Sequence, residues 1–383
     1  MRSVQTKVQT AMHDYDAIVA AGLDNFTYLT GVVLPFATNY PDRKALVVKT
    51  KDKHDAIICP FDWSDCIREQ GWKGTIAPYD ENTGTSVHPV IRTLAEVVGA
   101  LRLTNKRVGL DKSRVSKSFA LSAEQALPEI KWLSCDMMLG QLRILKTKDE
   151  VDLLETAAKH SELGIVFALN HLEGALDSLG YTIAEFTERV RVHVYESGGS
   201  GVGHLATLQG SEGHAYYVPQ RGRFRTGEVI RIDVTNHHRG YWSNAGRMAV
   251  TGCPTEDQAA AYKDNLALKA AAQSLLKPGV RSKDIFEEVA KTARQGRIRF
   301  WDRVPVGHGA GTSDREPPYL GPQDQTVLEL GMVIALDIYT FGPRQELIHS
   351  KDTYEIVEDG SRLLSWYRSW DRLYEVMGFR STH

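Results

Sequence analysis

At 383 residues, with 42% hydrophobic and 25% charged side chains, the chain exceeds the usual ceiling for one hydrophobic core, so two domains are expected. A formal net charge of -2 gives no electrostatic case for a nucleic-acid partner, and no run of about 18 apolar residues is present to span a bilayer. The opening MRSVQTKVQTAMHDYD lacks the apolar core of a signal peptide. Cys59, Cys66, Cys135 and Cys253 form neither a CxxC nor a Cys/His cluster with zinc spacing. Buried free thiols in a reducing, cytoplasmic compartment are the expectation.

In chain order, Asp16–Ala20, Lys44–Lys49, Ala56–Pro60 and Arg107–Leu110 read as short apolar strands, with helical stretches such as Val87–Leu101 between them, which predicts an α/β domain. The composition changes at Leu142–Glu150. Beyond it Val151, Leu154, Ala157, Ala158, Leu163, Val166 and Leu169 recur at helical spacing. The boundary is set there, giving domains of residues 1–145 and 146–383. In the second domain Val229–Val234, Gly246–Val250 and Val333–Tyr339 read as strands, and Thr255–Leu276 and Ser282–Arg294 as helices. Lys351 and Asp352 are read as preceding a strand that ends at Glu358-Asp359-Gly360. The tail Leu363–Met377, with Trp366, Tyr367, Trp370 and Tyr374, reads as an aromatic helix packed on a core or a subunit interface.

Several polar residues interrupt these apolar segments. Strand alternation points Asp233 away from Ile232 and Val234, and eleven residues later comes Asn244. His308 lies in Gly307-His308-Gly309-Ala310-Gly311, a glycine-rich loop in which missing side chains leave room for a substrate or metal. Asp337 sits within an apolar strand, and Lys351 follows.

Taken together these segments resemble the pita-bread hydrolases: creatinase, prolidase, aminopeptidase P and methionine aminopeptidase. The run Asp24-Asn25-Phe26-Thr27-Tyr28-Leu29-Thr30-Gly31 is similar to the creatinase-type N-terminal domain, and Leu142-Arg143-Ile144-Leu145-Lys146 to the opening of the catalytic domain. The resemblance implies an α/β N-terminal domain followed by an α+β pita-bread catalytic domain. It sets Asp233, Asn244, His308, Asp337 and Lys351 on the five metal-ligand positions. Only Asp233 and His308 match unchanged. Asn244 and Lys351 fall on the two bridging carboxylates, where an amide oxygen is a weak neutral ligand and an ammonium has no lone pair. The expected site is therefore metal-free, as in creatinase, with Lys351 supplying between Asp233 and Asp337 the positive charge that a divalent ion would otherwise bring.

By the same resemblance His214, in Gly213-His214-Ala215, is the expected general acid/base, with His204 as a rival. Arg315 replaces the second histidine of the metallopeptidase motif and suits a bidentate grip on a carboxylate, or a structural pair with Asp314 or Glu316. Tyr216 and Tyr217 are candidates to wall the pocket. Phe36 and Arg43 fall where creatinase-like dimers contribute substrate contacts across the subunit interface. Gly246 falls where creatinase has the carboxylate that assists the base.

The expectation is a cytoplasmic, homodimeric, metal-independent hydrolase cleaving a C–N bond of a small carboxylate-bearing substrate. Catalysis falls to His214, Asp337 and Asp233, and binding to His308, Arg315, Lys351, Asn244, Tyr216, Phe36 and Arg43, with no cofactor. Two alternatives stay open: an Xaa-Pro dipeptidase or aminopeptidase using manganese, iron or cobalt in an atypical site, and a non-catalytic binding protein on the same fold.

Overall fold

The computed structural model describes residues 3–34, 36–40, 42–81, 88–175, 181–209, 222–365 and 369–378, the side chains of residues 204 and 206–209 excepted. Within it the chain forms two compact units, Met1–Arg143 and Ile144–His383.

The first unit is built on strands β1 (Ala17–Ala20), β2 (Leu46–Thr50), β3 (Ala56–Pro60), β4 (Thr75–Tyr79), β5 (Arg107–Leu110) and β6 (Lys131–Ser134) in the sheet order β4-β3-β2-β1-β5-β6. Helices α1 (Val4–Ala11), α2 (Leu23–Thr30), α3 (Ser64–Glu69), α4 (Pro89–Ala100), α5 (Lys117–Ala126) and α6 (Asp136–Ile144) complete it. Strands β1 to β3 are buried along their whole length, as a sheet covered on both faces requires. Alternation divides their side chains. Ile18, Ala20, Val47, Ile57 and Cys59 enter one core, while Ala17, Val19, Leu46, Val48 and Ile58 enter the other.

The second unit opens with helices α7 (Lys148–Ala175) and α8 (Ile183–Glu196). Strands β7 (Gly201–Gln209), β8 (Val229–His238) and β9 (Tyr241–Thr251) follow, then helices α9 (Glu256–Ser274) and α10 (Ser282–Gly296). The remaining strands are β10 (Gly307–Gly309), β11 (Glu316–Tyr319), β12 (Val333–Phe341), β13 (Leu347–Val357), β14 (Gly360–Leu363) and β15 (Tyr374–Val376). Their sheet order is β11-β10-β12-β13-β9-β8-β7, with β14 paired to β13 and β15 to β9.

Apolar residues of this sheet alternate onto the helices. Ile230, Ile232, Val234, Ala245 and Ala249 pack in one core with Ile165, Leu169, Phe186 and Val190 of α7 and α8. Ile334, Leu336, Ile338 and Ile356 pack with Leu268, Ala272, Ile285 and Val289 of α9 and α10. Burying so many branched side chains supplies the main stabilisation, roughly 1.5–3 kcal/mol for each one fully removed from water. The residues between them in sequence are thereby committed to the opposite face of the sheet, where the polar groups singled out by the sequence lie.

Four expectations need correction. His308 is in strand β10, paired to β11 and β12, and not in a loop; the space above Gly309 is filled, since a Cβ there would lie 2.4 Å from the Pro317 carbonyl oxygen. Strand β13 begins at Leu347, so Lys351 and Asp352 lie inside it. The described part of the tail is not helical: Tyr374–Val376 adds a parallel strand to β9, and Trp370 is buried with its indole N–H donated to Glu162. Cys253 is exposed, although Cys59 and Cys135 are buried, and all four thiols are unbridged.

Candidate active site

Strand register assembles the polar face. Asp233 of β8 stands opposite Gly246 of β9, Gly246 opposite Lys351 of β13, and Lys351 opposite Asp337 of β12. One row across four strands thus reads Asp, Gly, Lys, Asp. Because Gly246 has no side chain, Lys351 can lean across it: Nζ lies 3.5 Å from Asp233 Oδ1 and 3.8 Å from Asp337 Oδ2. The three charged side chains are almost wholly buried. At such burial two carboxylates hold their charge only with a cation between them. Burial opposes ionisation of Asp337, but the Lys351 charge and a hydrogen bond from His349 outweigh it and hold the carboxyl well below the usual range.

Neighbouring rows supply the rest. One row on, His349 stands opposite Tyr339, with ring planes stacked at 4.2 Å and inclined by 3°. His349 Nε2 lies 2.7 Å from Asp337 Oδ1, and the Tyr339 hydroxyl 3.5 Å from Asp233 Oδ2. In the other direction Asn244 donates from Nδ2 to the Asp314 carbonyl at 3.2 Å, which leaves its Oδ1 buried and without a hydrogen-bond partner among the described residues. His308 is similar. Its Nδ1 donates to the Gly309 carbonyl at 3.0 Å, so Nε2 carries the lone pair, buried and unpartnered among the described residues. Burial, then the charges of Lys351 and Arg315, push the imidazole down to about 3, so His308 is a neutral acceptor.

Arg315 is the most accessible of these charged groups, with 32% of its side chain exposed and its guanidinium 3.9 Å from Asp337. Glu316, one of its anticipated partners, is bonded to Lys146 at 2.7 Å. Beneath the row, Arg247 donates to the carbonyls of Gly246 at 2.9 Å and Lys351 at 2.7 Å, and its charge is met by Glu162 and Asp352. This buried arginine pins β9 to β13 where they flank the site.

The sequence reading thus brings together Asp233, Asn244, His308, Arg315, Asp337 and Lys351, but misses His349, Tyr339 and Arg247. Period-two spacing was the available signal: His349 precedes Lys351 by two residues and Tyr339 follows Asp337 by two. His214, Tyr216 and Tyr217 lie outside the described residues, and of His204 only the backbone is described, at the register shift of β7 between Val202 and Leu205. Phe36 packs edge-on against Trp63, and Arg43 is bonded to Asp62 and Glu81 within the first unit. As expected, Lys351 lies against both Asp233 and Asp337 and provides counter-charge to them.

The donor set does not fit a pair of metal ions. An amide and an ammonium stand where bridging carboxylates would be needed, and the Lys351 ammonium lies between the remaining acids. Among the described residues no group of three or more His, Cys, Asp or Glu is placed to hold a metal ion.

Comparison with known proteins agrees with this architecture. Residues 5–145 match the model of the creatinase/prolidase N-terminal domain, and residues 152–358 that of metallopeptidase family M24. The chain is 26% identical to an Xaa-Pro dipeptidase of Pyrococcus furiosus over 234 residues, covering 60% of this chain and 65% of the relative. Among solved structures it is similar to an X-Pro aminopeptidase from Thermotoga maritima, with a TM-score of 0.84 and 17% identity over 98% of this chain and 100% of that one. The prolidase of Pyrococcus horikoshii gives a TM-score of 0.78 and 21% identity over 95% and 98%. With the catalytic-domain match alone spanning more than half of its length, the chain belongs to metallopeptidase family M24 and is a pita-bread hydrolase acting on C–N bonds.

Proposed function

We propose that the chain is a metal-independent hydrolase that cleaves an amide or amidine C–N bond in a small, carboxylate-bearing substrate. The observation that carries this reading is the Lys351 ammonium, 3.5 Å and 3.8 Å from the carboxylates of Asp233 and Asp337. It balances charge that would otherwise call for a bound cation, and it does so without a ligand lone pair. Arg315, partly exposed beside the triad, is the group suited to hold the substrate carboxylate through two parallel N–H donors. The buried acceptors of His308 and Asn244 suit N–H or O–H groups of a ligand.

A histidine is assigned the proton transfers, His214 first and His204 second. It takes a proton from water as the C–O bond forms and delivers it to the nitrogen as the C–N bond breaks, ending in its starting state. Such a group contributes roughly 10²- to 10⁴-fold, so His214→Ala is expected to lose that factor in kcat with the fold intact. Loss in His204→Ala with His214→Ala active would transfer the role. The protein is further assigned a homodimeric, cytoplasmic state, the dimer to be checked by analytical ultracentrifugation.

The deciding experiment assays the purified protein against guanidino acids, cyclic amidine acids, N-acyl amino acids and Xaa-Pro dipeptides, with metal content measured on the same sample. The expected result is turnover of an amide or amidine acid that survives chelation, with metal well below one equivalent. The names of the relatives favour the other reading, an Xaa-Pro dipeptidase with an atypical metal site. Stoichiometric metal, with Xaa-Pro cleavage lost on chelation and restored by manganese, iron or cobalt, would establish that instead.

A further inference from the structure

We infer that the stacked pair His349–Tyr339 is a positioning device that holds the two site carboxylates on either side of Lys351, and that residue 246 is glycine so that this device can be built. Asp337 and Tyr339 on β12 face Lys351 and His349 on β13 in direct register, so the four side chains form a rectangle on one face of the sheet. Two flat rings in register stack, at 4.2 Å and 3°, and neither can rotate without displacing the other. Each ring ends in a polar atom directed at a different carboxylate: His349 Nε2 at Asp337 Oδ1, 2.7 Å away, and the Tyr339 hydroxyl at Asp233 Oδ2, 3.5 Å away. Trp301 packs edge-on against the outer side of Tyr339 at 5.6 Å and limits its movement.

His349 is fully buried, and its Nδ1 has no partner among the described residues. An ionised carboxylate only accepts, so the Nε2–H of His349 is the donor in its contact with Asp337. This donor fixes the direction of the Asp337 carboxylate. His349 meets Asp337 through Nε2 and acts through it.

Gly246 supplies the space. A Cβ there would lie 2.5 Å from His349 Cε1, 2.7 Å from its Nδ1 and 2.7 Å from Lys351 Cβ. Any side chain would therefore move both the ring and the lysine stem off the row. Loss of a side chain at 246 and presence of a ring at 349 are two halves of one arrangement.

The kinetic part of the test rests on the hydrolase reading; the crystallographic part does not. Wild type, His349→Phe, His349→Gln, Tyr339→Phe and Gly246→Ala are compared by steady-state kinetics on the best substrate of the panel and by crystallography. His349→Phe keeps an aromatic ring but no donor, and is expected to lower kcat at least about tenfold with KM within about twofold, while His349→Gln, which restores an N–H, recovers part of the loss. Gly246→Ala is expected to show the same kcat-selective loss, and Tyr339→Phe a smaller one. In the crystals of His349→Phe and Gly246→Ala the Asp337 carboxylate should turn away from Lys351. If both variants keep wild-type kcat, or keep Asp337 in place, the inference is wrong. Should His349→Phe fail to fold, His349→Gln and Tyr339→Phe decide the question by their kcat and KM. If the wild-type protein turns over nothing in the panel, the hydrolase reading fails, and the orientation of Asp337 in the crystals still decides the positioning role.

Discussion

Removing Lys351 should cost more than any other single change at the site, because it leaves two buried carboxylates without the cation that lies closest to both. Breaking a buried ion pair from one side typically costs about 3–5 kcal/mol, and Lys351→Met is expected in that range by urea denaturation at neutral pH. The pH dependence gives the sharper test. In the wild type Asp337 titrates below its unfolded value, so its contribution is present above about pH 4 and is lost as the pH falls toward the folded value. His308, held at about 3, adds to the same slope: an imidazole kept neutral in the folded state loses stability as the pH drops below about 6.5. Without Lys351, burial, already the largest influence on Asp337, loses its main opponent and the folded value rises. His308 is partly relieved, since its burial remains. Between about pH 7 and about pH 5 the wild type should lose more stability than Lys351→Met, as read from urea midpoints. Parallel slopes for the two proteins would refute the triad as the seat of this charge balance.

Legibility differed from element to element for physical reasons. Strands β8 and β12 could be read because their buried branched residues alternate with a few polar ones, VIRIDV and VIALDIY. The first half of strand β13 could not. In LIHSKDTYEIV both faces carry charge: His349 and Lys351 meet the site acids, while Asp352 on the other face is bonded to Lys269 and Arg247, so alternation in polarity disappears. The glycines around His308 read as a loop, although close backbone approach within the sheet is what demands Gly309. His349 escaped notice, as did the part Gly246 plays beside it, because their significance depends on register across strands, which no single stretch of sequence contains.

The described part of the C-terminal tail is not a helix for a related reason. Its aromatic residues are spaced by what they meet: Trp370 covers Arg247 at 5.2 Å and donates to Glu162, and Tyr374–Val376 pairs with Ala249–Thr251. Since Arg247 pins β9 to β13 under the site, this tail supports the active-site row from below. Trp370→Ala should therefore cost about 3–5 kcal/mol by thermal or urea unfolding. Trp370→Phe, which keeps most of the volume and loses only the indole N–H to buried Glu162, should cost about 1–3 kcal/mol. Equal and small losses in both would mean that the tail is peripheral to the core.

On the scale of the whole molecule, the pita-bread unit presents one polar face whose groups set its charge balance. The row across β8, β9, β13 and β12 carries Asp233, Gly246, Lys351 and Asp337, and the neighbouring positions carry Asn244 and His308. If side chains alone separate this site from a metal centre, restoring carboxylates at two positions should create one. Asn244→Asp combined with Lys351→Glu replaces an amide and a cation by two anions, so that four carboxylates and a neutral imidazole would share a buried face. Without metal the variant should be markedly less stable than the wild type, since buried like charges repel and lack a counter-ion. With metal it should recover by RT ln(1 + [L]/Kd), about 2.7 kcal/mol when the ion is present at a hundred times its Kd. The measurement is Tm with and without manganese or cobalt, together with metal content after gel filtration, neither of which depends on turnover. A rise in Tm and retained metal in the double variant, with no change in the wild type, would show that the backbone still holds the ligand positions in place. An unchanged Tm and no retained metal would mean that strand positions have drifted as well, and that two substitutions do not account for the difference between this site and that of a metallopeptidase.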